Sequence, residues 1–130
     1  MTSLGYPDSL RLLTAADFKR VMDGAAFKAS HHAFLLLAVP SERSTPRLGF
    51  IVARKKAKRA VDRNRIKRCM RENFRLMQAD IPPMDIVFLA RQDVARLDNV
   101  ALHAGCQDAL RKLIRKAKSS PPAGTGKSAP

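Results

Sequence analysis

An apolar stripe runs opposite a ridge of cations between about residues 61 and 78, and that pairing leaves the segment few ways to fold. At about 100° per residue, Ile66, Cys69, Met70, Phe74, Leu76 and Met77 fall on one side. Arg63, Asn64, Lys67, Arg68, Arg71 and Arg75 fall on the other, and Arg63, Lys67, Arg71 and Arg75 follow one another at i, i+4. A solvated basic tail has no reason to keep such a stripe. The segment therefore reads as a folded helix buried along one face, and Pro82 and Pro83 forbid its continuation.

The wider stretch from 54 to 75 holds 11 of the chain's 25 Lys and Arg residues, with Asp62 and Glu72 as its acids. It carries +9 of a formal net charge of +14. Arg54, Lys55, Lys56, Lys58 and Arg59 lie ahead of the helix and extend its charge. Solvated faces usually mix signs, so this density, with a pI near 10.9, points to a polyanion whose counterions the basic groups release. An acidic membrane surface is the weaker option. The longest apolar run, AFLLLAV at 33 to 39, suits a strand and is too short for a membrane span.

The chain's 130 residues make one domain, and its 45% hydrophobic content suffices for a modest, mostly aliphatic core. The first ten residues, MTSLGYPDSL, lack a basic start followed by an apolar stretch, so no signal peptide is expected. Cys69 and Cys106 sit at helix-periodic positions and fit reduced core thiols. A cytoplasmic location is the expectation.

Residues 1 to 12 read as an irregular lead-in. Thr14, with Asp17 three residues on, resembles a capping box that opens a helix at about 15 to 23, with Phe18, Val21 and Met22 as its apolar face and Gly24 as its end. An extended piece around Phe27 to Ser30 precedes a strand at 33 to 39 that Pro40 stops. SERSTP at 41 to 46 reads as a hairpin-type connection to a strand at 47 to 54. Leu48, Phe50 and Val52 mark one face of that strand, and Ile51 and Ala53 the other, which predicts a central strand covered on both sides. DIVFLAR at 85 to 91 is a second two-sided strand. Asp98 or Asn99 then caps a last helix along which Leu102, Cys106, Ala109, Leu110, Leu113 and Ala117 keep helical spacing. SSPPAGTGKSAP is small, polar and Pro-rich. The predicted organisation is thus a single RNA-binding domain at 1–118, with a disordered tail at 119–130. The order αβββαβα predicts an α+β sandwich, a mixed sheet with helices mainly on one face.

No catalytic constellation emerges. The carboxylates are scattered through the chain and form no acidic cluster of the kind a protein-borne two-metal nuclease needs. His31 and His32 are adjacent, so in a strand they would point to opposite faces, a poor chelate and a poor acid–base couple. They are expected to face solvent or RNA. Cys69 and Cys106 lack the spacing of a zinc site, and GTGK at 124 to 127 has neither the preceding strand nor the following helix of a nucleotide-binding loop. The chain alone is expected to cleave nothing and to hold no metal.

RLGFIVARKKAKRAVDRNRIKRCMRENFR resembles, almost residue for residue, the signature of the bacterial ribonuclease P protein component. It has Arg47-Leu48-Gly49 on a strand, Lys55-Lys56 in a loop, then Ala60, Arg63-Asn64-Arg65, Lys67-Arg68 and Arg71-Glu72 on a helix. The likeness extends to LLTAADFKRVM near the start and MDIVFLARQDVARLDN near the end, covering about residues 9 to 117. The resemblance implies a protein of the ribosomal-protein-like sandwich type that binds a large catalytic RNA and promotes removal of the 5′ leader from precursor tRNA. The active site and its Mg2+ would belong to the RNA, with no obligate protein partner. It also implies a left-handed βαβ crossover through the basic helix, where general rules favour the right hand.

Two surfaces carry over from the resemblance. Arg63, Asn64, Arg65, Lys67, Arg68 and Arg71, with Lys55, Lys56, Lys58 and Arg59 before them, match the motif facing the catalytic RNA and its bound substrate. Arg54 and Arg75 flank it. The second surface is a cleft between the first helix and the sheet for the single-stranded leader, assigned here to Phe18, Met22, Phe34, Leu37 and Ala90. Met22 and Leu37 stand where some relatives carry rings, so apolar contact replaces stacking there. A spacing of four, as between Phe18 and Met22, also suits plain packing. The alternative function is a ribosomal RNA-binding structural protein, which shares small size, basicity and related folds. A DNA-compacting protein would fit the charge and leave the sheet-flanked helix unexplained.

Overall fold

The computed structural model describes residues 14–119. Along the chain come α1 (Ala15–Gly24), β1 (Phe27–Ser30), β2 (Phe34–Pro40), β3 (Arg47–Ile51), α2 (Ala60–Met77), β4 (Met84–Ala90) and α3 (Asn99–Ser119). Single 3-10 turns lie at Gln78–Asp80 and Val94–Arg96. This is the expected order of helices and strands. The lead-in and the tail lie outside the described residues, except that Ser119 closes α3.

Local chemistry sets the helix starts. The Thr14 hydroxyl accepts from the Asp17 backbone N–H at 3.1 Å, and the Asp17 carboxylate accepts in return from the Thr14 backbone, completing the capping box. Asp98 caps α3, its Oδ1 accepting from the Ala101 N–H at 2.8 Å. On α2 the stripe is largely as predicted: Ile66, Cys69, Met70 and Phe74 are buried. Leu76 is not, at 63% exposed, and Asn73 is buried in its stead. Burial of Asn73 is tolerable because its Nδ2 donates to the Cys69 carbonyl at 2.9 Å and meets His103 Nδ1 at 2.9 Å.

The sheet order is β1-β2-β4-β3, with β1/β2 and β2/β4 antiparallel and β3/β4 parallel. Two expectations fail here. Residues 41–46 do not close a hairpin, because β4 lies between β2 and β3. β3 is an edge strand, not a central one. It is nonetheless covered on both faces, Leu48 and Phe50 packing on one side and Ile51 on the other. The central position goes to β4, whose Ile86, Val87 and Phe88 are all fully buried.

Strand alternation divides the sheet's side chains into two layers. One layer, with Phe34, Leu36, Ala38, Leu48, Ile86 and Phe88, packs under α2 and α3 in the main core. Phe34 and Phe88 stack there with centroids 4.7 Å apart. The other layer meets α1 through a smaller cluster of Val21, Leu37 and Val87. Helices thus lie mainly on one face, as expected. His31 and His32 occupy the turn between β1 and β2, so strand alternation does not govern them, and their rings stack at 4.4 Å. His31 also packs on Phe34. A Cβ at Gly105 would fall 2.9 Å from His31 Nε2, so a side chain there would push the imidazole aside.

A charged network fixes α1 to the sheet. Arg47 and Asp85 are cross-strand partners on the α1 face, joined by two hydrogen bonds of 2.9 Å, with Asp85 fully buried. Arg20 of α1 donates to the same carboxylate, and Arg47 reaches Asp17 at 3.4 Å. Burial pushes the Asp17 carboxyl up, yet the Thr14 hydrogen bonds and the Arg47 charge outweigh it and hold the pKa below the ordinary value. Its stabilisation is therefore present above the usual carboxylate range and lost as pH falls through the lowered folded value. Removing one partner of a buried pair costs about 3–5 kcal/mol, whereas exposed pairs contribute about 0–1 kcal/mol. Urea denaturation should accordingly show Asp85→Ala losing several kcal/mol and Arg20→Ala less than about 1.

Candidate nucleic-acid interface

The segment from 52 to 59 presents its lysines from an ordered turn. Lys56 and Ala57 both donate to the Ala53 carbonyl, at 2.9 and 3.2 Å. Ala57 is buried and anchors the turn in the core. Arg63 fastens it from α2, with Nη1 donating to the Ala57 and Lys58 carbonyls at 3.0 and 2.8 Å. Arg54, Lys55, Lys58 and Arg59 project into solvent from this scaffold, and Lys56 is half-buried. Long cationic side chains on a pre-ordered backbone have less freedom to lose on binding.

Along α2, Asn64 and Arg68 are exposed, while Lys67, Arg71 and Arg75 are half-exposed. Arg71 lies over the Phe50 ring, 5.3 Å from its centroid, and Arg75 pairs with Glu72 at 2.8 Å. Arg65 behaves differently from its neighbours. Its guanidinium donates to the carbonyls of Leu97 and Ala95 at 2.9 and 3.2 Å and to Asn99 Oδ1 at 3.2 Å, with Asp62 at 3.6 Å. It clamps α2 to the entry of α3. Helical spacing places Arg65 at the edge of the polar arc but carries no sign of carbonyl acceptors 30 and 32 residues downstream.

The five residues assigned to a cleft are not brought together. Phe18 is half-buried and Leu37 buried, both in the α1-side cluster, and Met22 is 39% exposed on α1. Phe34 and Ala90 point the other way and lie in the main core beneath α2 and α3. The reason is parity: Phe34 and Leu37 are three residues apart in one strand, so they cannot share a face. Ala90 is the register partner of Phe34 and follows it. The α1 side instead carries a row that the sequence reading missed, Leu35, Leu89 and Ile51, in register across β2, β4 and β3 and all half-buried. Counting by two from Leu37 would have found Leu35. Gly49, partner of Val87 on the same face, leaves the floor without a side chain at that point. Phe50 and Ile51 are consecutive on β3, so the cation ridge over Phe50 and the apolar floor at Ile51 meet at one edge strand.

Among the described residues, no three His, Cys, Asp or Glu side chains gather as metal ligands, and no helix is long and apolar enough to cross a membrane. A family model described as Ribonuclease P matches residues 6–117. The chain belongs to the ribonuclease P protein family. It is 42% identical over 125 residues to the ribonuclease P protein component of Chromohalobacter salexigens, covering 96% of this chain and 98% of that one. It is 46% identical over 118 residues to that of Acinetobacter baylyi, covering 91% and 90%. The fold is similar to the RNase P protein of Staphylococcus aureus, with a TM-score of 0.70 at 30% identity over 84% of this chain and 95% of that one. A Thermotoga maritima RNase P protein, solved with 1-(4-fluorophenyl)-2-thiourea, gives 0.70 at 28% identity, covering 78% and 98%.

Within this family fold, the inward Arg65 and the outward Arg68 separate structure from surface. Hydrogen bonds to a charged group contribute about 1.5–3 kcal/mol, while surface substitutions usually stay within about 0.5 kcal/mol. Arg65→Ala should therefore lower the urea midpoint clearly and Arg68→Ala hardly at all. Equal midpoints would mean that the clamp to the 95–99 segment contributes nothing.

Proposed function

We propose that this chain is the protein subunit of a ribonuclease P holoenzyme, an endonuclease that removes the 5′ leader of precursor tRNA. In this reading its partners are the catalytic RNA and precursor tRNA, and it works in the cytoplasm. The observation that carries the reading is the meeting of two chemically different surfaces at β3. A fixed array of cations lies on one side and a half-buried apolar floor on the other, in a chain of this family.

The cations of the 54–59 segment and of α2 neutralise phosphates where two RNAs, each polyanionic, must approach one another. Each contact releases counterions and lowers the repulsion that otherwise demands more magnesium. The floor of Leu35, Leu89 and Ile51, with Phe18 at its α1 wall, takes unpaired leader bases by apolar contact and by stacking on one ring. Both are indifferent to sequence, as suits an enzyme acting on many precursors. In this reading Mg2+ is held by the RNA, and the chain's own contribution is to bind and orient.

Phe18→Leu keeps an apolar side chain in the packing cluster and removes the ring. Stacking contributes about 1–3 kcal/mol per base, and about 1.4 kcal/mol is tenfold in affinity. In holoenzyme reconstituted with ribonuclease P RNA, the variant should bind precursor tRNA about tenfold or more weakly, bind mature tRNA as before and melt unchanged. A parallel fall in both affinities would make Phe18 a packing residue and move the leader elsewhere. Arg68→Ala should reduce the salt dependence of RNA binding by about one phosphate without loss of melting temperature.

A further inference from the structure

Between α2 and the start of α3 lies a pocket of about 200 Å³ lined by Arg65, Arg68, Cys69, Glu72, Asn99 and His103. A single water needs only about 10–15 Å³ of such space, so the pocket admits a small solute. Cys69 reaches it with 6% of its surface, while Cys106 on α3 is sealed at 0%. Both sulfurs lie in the main core where α2 packs on α3, near enough to perturb each other's ionisation. The Cys69 sulfur also has the Asn73 amide nitrogen 3.8 Å away, and two guanidinium groups share its pocket.

We propose that Cys69 is an oxidation site for hydroperoxides entering through this pocket, and that Cys106 converts the product into a disulfide joining α2 to α3. The Cys69 thiolate attacks one oxygen of the peroxide; the O–O bond breaks, the sulfur becomes a sulfenic acid and the departing hydroxide takes up the proton that Cys69 released on ionising, leaving as water. The Cys106 sulfur then displaces the sulfenic hydroxyl, which leaves with the Cys106 proton as water. Two thiols and one hydrogen peroxide thus yield one disulfide and two waters. Geometry divides the roles, since Cys69 is reached from solvent and Cys106 only through Cys69.

The charge state of the pair agrees. The neighbouring Cys106 thiol, against the cost of burial and with help from the Arg65 charge, lowers the Cys69 pKa although Glu72 opposes it. The same proximity, together with burial, pushes the Cys106 thiol up. The thiolate therefore forms at the accessible sulfur, in the electropositive, partly open setting that favours reaction.

The test treats the full, reduced chain with hydrogen peroxide in the presence of glutathione as an exposed-thiol reference, then counts thiols by alkylation under denaturing conditions. The expected product is a monomer that has lost both thiols and two hydrogens, restored by dithiothreitol and melting at a higher temperature. In Cys106→Ser, dimedone should trap a sulfenic acid at Cys69. In Cys69→Ser, with Cys69→Ala as a second variant if packing suffers, Cys106 should stay reduced throughout. Oxidation of Cys106 in the Cys69 variants at the wild-type rate would overturn the assignment. So would disulfides formed only between chains, or a pair still reduced when the glutathione is consumed.

Discussion

The Asp85 carboxylate lies where no solvent reaches it, and the fold surrounds it with the charge it needs. Arg47 supplies two hydrogen bonds from the neighbouring parallel strand, and Arg20 supplies another donor from α1. A buried ion is costly unless its partners are held in good geometry, so the network works only when β3, β4 and α1 sit in one arrangement. It thereby sets the register of the parallel pair and the seat of the first helix together. The small apolar cluster of Val21, Leu37 and Val87 could fasten α1 at several angles. The charges select one.

With α1 placed, the two faces of the sheet acquire different tasks. Beneath α2 and α3 the core is continuous and aromatic at its centre, with Phe34, Phe50 and Phe88 in ring contact. On the α1 side, one short helix covers only part of the sheet, and the row Leu35, Leu89 and Ile51 is left half-covered. The surface proposed to take the leader is the part of the sheet that α1, an economical cover, leaves half-open. The cation array depends on the same economy, since Arg63 orders the turn before α2 and Arg65 fixes the segment after β4.

What could be read from the sequence followed from local periodicity. The stripe on α2, the cap at Thr14, the apolar spacing of α3 and the order of elements all depend on residues within a few positions of one another. Strand order does not. Nothing between residues 41 and 46 announces that β4, which begins only at Met84, will enter between β2 and β3. The clue lay in β4 itself, whose Ile86, Val87 and Phe88 need cover on both faces, while β3 carries Gly49. The misplaced Phe34 and Ala90 are a different kind of error, because strand parity alone separates Phe34 from Leu37. Arg65 was legible as a cation but not as a clamp, since its acceptors are backbone carbonyls that any sequence supplies. Leu76 and Asn73 exchanged places for a related reason: beside the Cys69 carbonyl of its own helix, the amide finds a second partner in His103 that only the packed α2–α3 pair provides.

The edge position of β3 bears on how the protein behaves when no RNA is present. One side of β3 pairs with β4, and among the described residues its other side meets no strand. Bare strand edges invite edge-to-edge association with other copies, and native proteins blunt them with short strands and nearby charge. β3 is five residues long, with Arg54, Lys55 and Lys56 just past its end and Arg71 over its Phe50 ring. The cations suited to phosphate therefore also keep two copies of the chain from joining their sheets. Substitution that neutralises them leaves the edge open, so self-association, and not unfolding, is the failure to which a charge-stripped version of this protein is exposed.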